Sequence, residues 1–215
     1  MTSSPLKSFR PRLWAPLLGG LALTTLAAGA ARAETWQLDP AHSAASFSVR
    51  HLMVSQVRGQ FEKMSGTVEL DEANLPKSRV EVSIEAASID TGNEKRDEHL
   101  RSADFFDVAN HPDISFKSTR IKPAGKGKYL VTGDLTMRGV TKSVTLTVNG
   151  PSNPLKTPFG HLVRGLTASG KLNRKDWGLN WNKAIEAGGV AVGDEVTLQI
   201  DVELVPKSPP TAASK

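Results

Sequence analysis

Residues 79–86 have the sequence RVEVSIEA, and this stretch shows the pattern that decides the fold. Apolar and polar residues alternate at every position, which is the two-residue period of a β-strand with one buried face. Seven other stretches predict strands in the same way, at residues 42–51, 59–70, 114–121, 129–137, 144–148, 164–172 and 195–205. Turn residues separate most of them, as in Gly125-Lys126-Gly127-Lys128. The sequence therefore predicts an all-β chain with eight principal strands.

Eight antiparallel strands with one apolar face have exposed edges unless the sheet closes into a barrel. A barrel of this size is either filled by its own side chains or holds one small ligand. Several predicted inward positions carry small residues, which favours a hollow lumen, although small residues also permit barrel corners: Ala45, Gly66, Ala86, Gly133, Ala168 and Gly170.

A charged helix is predicted at one place in the barrel, within Thr91–Asp107, whose sequence is TGNEKRDEHLRSADFFD. Thr91 to Glu94 fits a capping box, in which the Thr side chain caps the helix and the Glu side chain reaches back. Leu100 is almost the only apolar residue of the helix, so the helix is expected to lie across a surface or an opening. Phe105 and Phe106 are then expected either to plug the barrel end as core or to close the lumen over a ligand.

The N-terminus has the pattern of a removable export signal. Three basic residues precede an uncharged apolar run at residues 13–30, and Ala31-Arg32-Ala33 supplies a small-x-small cleavage site. We expect residues 1–33 to be removed, residues 34–205 to form one domain, and residues 206–215 to be a disordered tail rich in Pro, Ser, Ala and Lys.

The composition of residues 34–215 excludes some classes of function. This part contains 23 basic and 22 acidic residues, so its net charge does not favour nucleic-acid binding, which needs a basic surface. The chain has no cysteine, which excludes disulfides, thiolate catalysis and zinc-thiolate sites.

Catalytic and metal-binding patterns are weak. No nucleophile elbow is present. The five histidines lack metal-ligand spacing, at positions 42, 51, 99, 111 and 161. The protein is therefore predicted not to be an enzyme and to have no metal site. Two alternatives stay open. One is a lipid-modifying enzyme that uses His51, Asp97 and His99 at the barrel mouth, and the other is a structural, stress-protective protein with a filled barrel.

Several separated motifs resemble the YceI-like, polyisoprenoid-binding family over residues 36–205. They are Leu38-Asp39 with His42, Phe47–His51, Val57–Phe61, Arg96–Leu100, Ser102–Phe106, Pro112–Phe116, Gly133–Thr141 and Arg174–Gly178. The resemblance implies an extended, lipocalin-like antiparallel barrel in the periplasm whose lumen holds a polyisoprenoid, an isoprenoid-quinone-like lipid or a similar long amphiphile. It implies no required cofactor and no catalytic residue. Transient contact with a membrane or a membrane protein, and a homodimer, are left open.

The predicted ligand contacts combine inward strand positions with the end of the helical insert. They are Phe47, Val49, His51, Phe61, Val82, Ile84, Leu100, Phe105, Phe106, Phe116, Val131, Leu135, Met137, Leu146, Leu166, Trp177, Leu198 and Ile200.

Overall fold

The computed structural model describes residues 1–2, 33–185 and 188–207. Nearly all of the predicted leader and of the predicted tail falls outside these ranges, so both remain expectations. Within the described ranges, no helix combines the length and the apolar character needed to cross a membrane.

Twelve strands and one α-helix make up this part of the chain. The strands are β1 (Glu34–Leu38), β2 (Ala44–His51), β3 (Ser55–Phe61), β4 (Met64–Leu70), β5 (Arg79–Glu85), β6 (Ile89–Asp90), β7 (Asp113–Gly125), β8 (Lys128–Met137), β9 (Val140–Asn149), β10 (Leu155–Lys156), β11 (Leu162–Asn173) and β12 (Val192–Pro206). Helix α1 spans Glu94–Arg101, and short 3-10 turns occupy Leu75–Lys77, Ala86–Ser88 and Arg174–Trp177.

The sheet closes into a barrel of eight antiparallel lengths of chain, which confirms the predicted fold. In order around the wall these lengths are β1 with β2, β3 with β4, β5, β7, β8, β9, β11 and β12. Strand β12 closes the ring because it pairs with β11 along one edge and with β1 and β2 along the other. Closing the ring removes most of the exposed edges, which is how barrels solve the edge-strand problem, although residues 55–59 of β3 pair with β2 alone among the described strands.

The predicted single strand at residues 59–70 is wrong in detail. The chain forms β3 up to Phe61 and β4 from Met64, with a corner at the two residues between them. At this corner the backbone N–H of Glu62 donates to the carbonyl of Ser88, and that of Lys63 donates to the Ser88 hydroxyl. The ladder is interrupted because these N–H groups bond to the chain after β5 instead of a neighbouring strand. A period-two pattern continues through such a corner, so the sequence does not show it.

The predicted capping box at Thr91 is also wrong. The N-cap of α1 is Asn93, whose side chain accepts from the backbone N–H of Arg96 at 3.1 Å. Thr91 binds the helix differently, because its backbone N–H and its hydroxyl both donate to a carboxylate oxygen of Asp97. Asp97 is only 3% exposed, so it is a buried hydrogen-bond acceptor and not part of a surface charge network.

Glycine on the inner face permits close packing in this barrel and does not create open space. A Cβ atom on Gly133 would lie 2.4 Å from Cζ of Phe116, and one on Gly66 would lie 2.4 Å from the carbonyl oxygen of Glu81. At Gly170 the obstructing atom would be a methyl of Leu146, at 2.7 Å. The small residues that do face the cavity described below are the alanines at positions 45 and 168.

The two ends of the barrel differ. At one end, called here the Trp36 end, Trp36 is 1% exposed and the Arg164 guanidinium lies 4.9 Å from the centroid of its ring. Arg164 also pairs with Glu72 in the β4–β5 connection. The opposite end, called the α1 end, carries α1, the β2–β3 turn and the chain between β11 and β12. A buried cation–aromatic pair therefore packs at one end, while irregular chain covers the other.

Candidate ligand cavity inside the barrel

A cavity of about 250 Å³ lies inside the barrel. All eight lengths of the wall contribute side chains to it, and Leu100, Phe105 and Phe106 contribute from α1 and the turn that follows. The lining is apolar except at Ser46 and Arg174. The barrel is therefore not solidly filled, which goes against the alternative of a purely structural core.

Sixteen of the eighteen predicted contact residues line this cavity. The alternation of side chains along each strand brings them together, because every second residue of a barrel strand points inward. They are Phe47, Val49, Phe61, Val82, Ile84, Leu100, Phe105, Phe106, Phe116, Val131, Leu135, Met137, Leu146, Leu166, Leu198 and Ile200. That they contact a ligand stays a prediction.

The other two predicted residues, His51 and Trp177, do not line the cavity. Trp177 is 1% exposed, and its indole Nε1–H donates to the carbonyl of Leu135 at 3.0 Å. It is thus a core residue that joins the 3-10 turn after β11 to β8. His51 is the last residue of β2 and lies half-buried at the turn.

The cavity also contains residues that the predicted set omits. Some stand at inward positions of predicted strands, so the alternation was sufficient to find them, for example Val68, Val80, Val144, Val196 and Val202. Arg174, Leu179 and Val192 could not be found in this way. They lie in or beside the irregular chain between β11 and β12, where no period relates a residue to a face.

Arg174 is the one charged residue in the lining among the described residues, and it is only 3% exposed. Its Nε–H donates to the carbonyl of Gly193 at 2.9 Å, and Nη1 donates to the carbonyl of Leu179. Nη2 lies 3.4 Å from a carboxylate oxygen of Asp194, which is partly exposed. Burial lowers the pKa of the guanidinium, and the charge of Asp194 opposes that shift. These bonds connect Arg174 to Leu179 on one side and to the start of β12 on the other, so they hold the two ends of the irregular chain close to the cavity.

Phe106 joins the turn after α1 to the barrel wall. Its ring meets Phe61 edge to face with 5.6 Å between centroids, and Phe61 lies 5.8 Å from Phe47. The backbone N–H of Phe106 donates to the carbonyl of Leu100 at 3.0 Å, which fixes the turn. The side chains of this turn therefore cover the cavity at the α1 end, in the position expected for a lid.

Phe105 forms a second aromatic cluster, with His99 and Trp181. The three ring centroids lie 4.8 to 5.3 Å apart. His99 Nε2 is 2.9 Å from a carboxylate oxygen of Asp104, so the imidazole is held by one polar partner and two aromatic rings. Trp181 was not predicted for this site, because it belongs to the irregular chain before β12.

The three residues considered for an enzyme at the barrel mouth, His51, Asp97 and His99, are not part of the cavity lining. Asp97 accepts from Thr91, and His99 pairs with Asp104. Within the described ranges, a group of side chains that could bind a metal ion lies elsewhere. It consists of Asp39, His42 and Glu203, whose ligand atoms lie within 4.8 Å of one another.

That group is an ion-pair cluster on the outer side of the barrel. His42 Nδ1 lies 2.7 Å from Asp39 and 3.9 Å from Glu203. The hydrogen bond to Asp39 raises the pKa of His42, and the same bond lowers the pKa of Asp39. None of these three residues lines the cavity, so the cluster has no part in the candidate site.

Comparison with known proteins supports the same fold. The UPF0312 protein SA2479 of Staphylococcus aureus strain N315 is 39% identical over 168 residues, which are 77% of this chain and 94% of that protein. The crystal structure of BcnA from Burkholderia cenocepacia matches with a TM-score of 0.66 at 25% identity, over 77% of this chain and 98% of that one.

A polyisoprenoid binding domain from Saccharophagus degradans shares the fold, with a TM-score of 0.57 at 15% identity, over 82% of this chain and all of that one. The family model described as the YceI-like domain matches residues 36–204, which is the whole described barrel but for its first two and last two residues. The chain therefore belongs to the YceI-like family.

Proposed function

We propose that this protein binds an isoprenoid or similar long amphiphilic lipid inside the barrel, and carries or sequesters it. The observation that carries the proposal is the apolar cavity enclosed by all eight lengths of the wall. A concave, mainly apolar site with few polar groups is the usual form of a small-molecule site in a barrel. The Saccharophagus degradans structure is that of a polyisoprenoid binding domain, which supports this ligand class for a chain of the same fold.

The cavity volume limits what binds without rearrangement. An apolar protein cavity of about 150 Å³ accommodates benzene, so about 250 Å³ accommodates on the order of ten carbon atoms, or two isoprene units. At about 0.3 kcal/mol per heavy atom, ten carbons give about 3 kcal/mol of binding free energy. That corresponds to a Kd in the millimolar range, too weak for a carrier.

An isoprenoid of about forty carbons changes both the binding free energy and the volume that the ligand needs. The same factor gives about 12 kcal/mol, which corresponds to a nanomolar Kd. Such a chain needs more room than the cavity offers, so the covering side chains must move. We infer that Phe105 and Phe106 are displaced on loading, because they belong to a turn and not to the barrel ladder.

The test is native mass spectrometry after loading with two isoprenoid alcohols, a forty-carbon polyprenol and ten-carbon geraniol. We expect the polyprenol to be retained as a one-to-one complex and geraniol to dissociate. Absence of any co-purifying lipid, together with no uptake of the polyprenol by a folded barrel, would contradict the proposal.

A matched pair of variants tests whether the ligand binds in the cavity. Ala168 is 6% exposed and lines the cavity, whereas Ala124 is exposed on β7. Ala168→Leu fills part of the lumen and is expected to weaken polyprenol uptake by at least about tenfold, since apolar volume inside the lumen is what the ligand needs. Ala124→Leu is expected to leave uptake unchanged. Equal uptake by both variants would place the ligand elsewhere.

We propose a periplasmic location on the basis of the leader pattern at residues 1–33. The chain isolated from its cells is then expected to begin at Glu34, which N-terminal sequencing measures. An enzyme acting on the bound lipid has no support from the described site, where Asp97 and His99 are held by structural partners and His51 does not line the cavity.

A further inference from the structure

The near-neutral net charge of residues 34–215 conceals an uneven distribution. Residues 113–175, which form β7 to β11 and the start of the next 3-10 turn, contain twelve basic residues and two acidic residues, Asp113 and Asp134. The remainder of residues 34–215 therefore carries the excess of acidic side chains. Because a net count averages over the whole surface, it does not exclude a basic surface on one part of the barrel.

Two neighbouring hairpins of this basic segment lie at the Trp36 end. The β7–β8 hairpin turns at Lys126-Gly127, and the β10–β11 hairpin turns at residues 157–160. They are linked through the chain that leaves β9, because the backbone N–H of Gly150 donates to the carbonyl of Gly127 at 2.8 Å and that of Ser152 donates to the carbonyl of Gly165 in β11 at 2.8 Å. Both hairpins therefore lie at the same end of the barrel, and their exposed residues together are called here the hairpin surface.

The hairpin surface carries four exposed lysines, at positions 122, 126, 128 and 156. None of them takes part in an ion pair within the described part of the chain. Acidic residues at the same end belong to β1, to the end of β4 at Glu69, and to the β4–β5 connection. Two of these already have partners, since Glu34 accepts from the Trp36 indole and Glu72 pairs with Arg164.

Large apolar side chains lie among these lysines. Phe159 is 87% exposed at the tip of the β10–β11 hairpin, and Leu155 and Leu162, in the two strands beside that tip, are 64% and 43% exposed. Leu130 on β8 is 39% exposed. Exposed aromatic and aliphatic residues on a protruding hairpin cost free energy in water, and their grouping on one surface indicates contact with an apolar phase.

We propose that the hairpin surface docks the barrel onto an anionic phospholipid bilayer. Lysines beside the bilayer are attracted by the negative surface potential, and Phe159 with its neighbouring leucines enters the interface between headgroups and acyl chains. A soluble polyanion such as nucleic acid would use the lysines alone, because its phosphates offer nothing to Leu155 or Phe159. The combination of both residue types therefore favours a bilayer.

The experiment uses the chain that begins at Glu34, because every strand of the barrel lies within residues 34–206 and the apolar leader would itself bind lipid. Vesicles of equal parts phosphatidylglycerol and phosphatidylcholine are compared with vesicles of phosphatidylcholine alone by co-sedimentation. We expect binding to the anionic vesicles only, weakening as salt is raised because exposed charges are screened.

One triple variant tests the contribution of the lysines, and one single variant tests the contribution of Phe159. Lysine beside an anionic bilayer contributes about fivefold each, so Lys126→Gln, Lys128→Gln and Lys156→Gln together are expected to weaken binding by about a hundredfold. Phe159→Ala is expected to weaken it by at least about threefold. The matched controls, expected to bind as the unaltered chain does, are Lys95→Gln with Lys142→Gln and Lys183→Gln, all exposed elsewhere, and Val54→Ala, which is 76% exposed on the β2–β3 turn.

A second readout does not depend on loss of binding. With Phe159→Trp, we expect the tryptophan emission to shift to shorter wavelength on the anionic vesicles and to be quenched by brominated lipid. Equal binding by test and control variants, equal binding to neutral vesicles, or no emission change would overturn the proposal. Tight binding to soluble heparin with no effect of Phe159→Ala would also overturn it, in favour of a polyanion site.

Discussion

The ring of Phe106 meets the ring of Phe61 edge to face, with 5.6 Å between their centroids. One ring belongs to the turn after α1 and the other to the barrel wall, so this pair joins the covering segment to the wall of the cavity. Edge-to-face pairs contribute beyond their buried area, by about 0.5–1.5 kcal/mol.

Phe106→Ala is expected to lower the free energy of unfolding by about 2–3 kcal/mol, less than the 3–5 typical of a fully buried Phe, because Phe106 is only half-buried. It should also speed entry of an apolar fluorophore into the barrel. Urea unfolding and stopped-flow fluorescence measure the two effects. Phe159→Ala is the control for stability, and a Phe106→Ala barrel as stable as that control would contradict the role given to the pair.

Gly133→Ala is expected to destabilise the barrel by about 2 kcal/mol, as overpacking does. The new Cβ would lie 2.4 Å from Cζ of Phe116 and 2.5 Å from the carbonyl oxygen of Lys117. Gly165→Ala is the matched control, since a Cβ there meets nothing within 4 Å, and its effect is expected within about 0.5 kcal/mol. Urea unfolding of both variants measures this difference in the free energy of unfolding. Equal stabilities would mean that the ring of Phe116 moves aside freely.

Asp97→Asn is expected to loosen α1. The Asp97 carboxylate accepts from the backbone N–H and hydroxyl of Thr91, at 3.1 and 2.5 Å, and hydrogen bonds to a buried charged group are worth about 1.5–3 kcal/mol. Amide hydrogen exchange at Thr91 and within α1 should accelerate by tenfold or more, roughly the change that this energy implies. Glu98→Gln, on an exposed neighbour, should leave exchange unchanged, and the idea fails if both variants exchange alike.

The His42–Asp39 pair gives a pH dependence with a definite sign. The pKa of His42 is raised above 6.5, so its contribution to stability is complete below pH 6.5 and is lost as the pH rises through the folded-state pKa. The pKa of Asp39 is lowered from 3.8, so its contribution is present above pH 3.8 and is lost as the pH falls further. The pair therefore stabilises most between these two values.

An NMR titration of the His42 ring checks the cause. In Asp39→Asn, the pKa of His42 should fall toward its ordinary value, because the hydrogen bond to the carboxylate is the largest cause of the shift. Since His42 is exposed, the accompanying loss of stability is expected to be small. A titration midpoint that does not change would assign the shift to another group.

Trp177→Phe separates a core role from a ligand contact. The substitution removes the hydrogen bond from the indole to the carbonyl of Leu135, which should cost about 1–3 kcal/mol because that carbonyl loses a partner. Uptake of a forty-carbon polyprenol should be unchanged, because Trp177 does not line the cavity. Urea unfolding measures the stability and native mass spectrometry measures the uptake. Weaker uptake at unchanged stability would mean that Trp177 contacts the ligand.

The alternation of apolar and polar residues along the chain was enough to predict the eight lengths of the barrel and most of its lining. A strand has a period of two, so each residue's face follows from its neighbours, and Val82 or Leu198 could be placed without knowing the rest of the molecule. The same pattern does not show where a strand bends at a corner, which is why the break between Phe61 and Met64 was missed.

Irregular chain was the other limit of prediction. Arg174, Leu179 and Trp181 come to the cavity or its cover through turns whose path depends on contacts with distant residues, such as the bond from Arg174 to Gly193. The role of Trp177 could not be predicted for the same reason, since its hydrogen-bond partner, Leu135, lies far away in sequence. Asp97 was missed for a local reason, because the predicted capping box assigned the Thr91 side chain to the helix N-terminus and not to Asp97.

The sequence by itself thus determined the class of fold, the family and the apolar character of the interior, because these follow from local periodicity and motif order. Only the tertiary structure decided the size of the cavity, the place of Phe106 over it and the meeting of two lysine-bearing hairpins at one end. Volumes and surfaces are made by residues far apart along the chain, and their distances exist only once the barrel has closed.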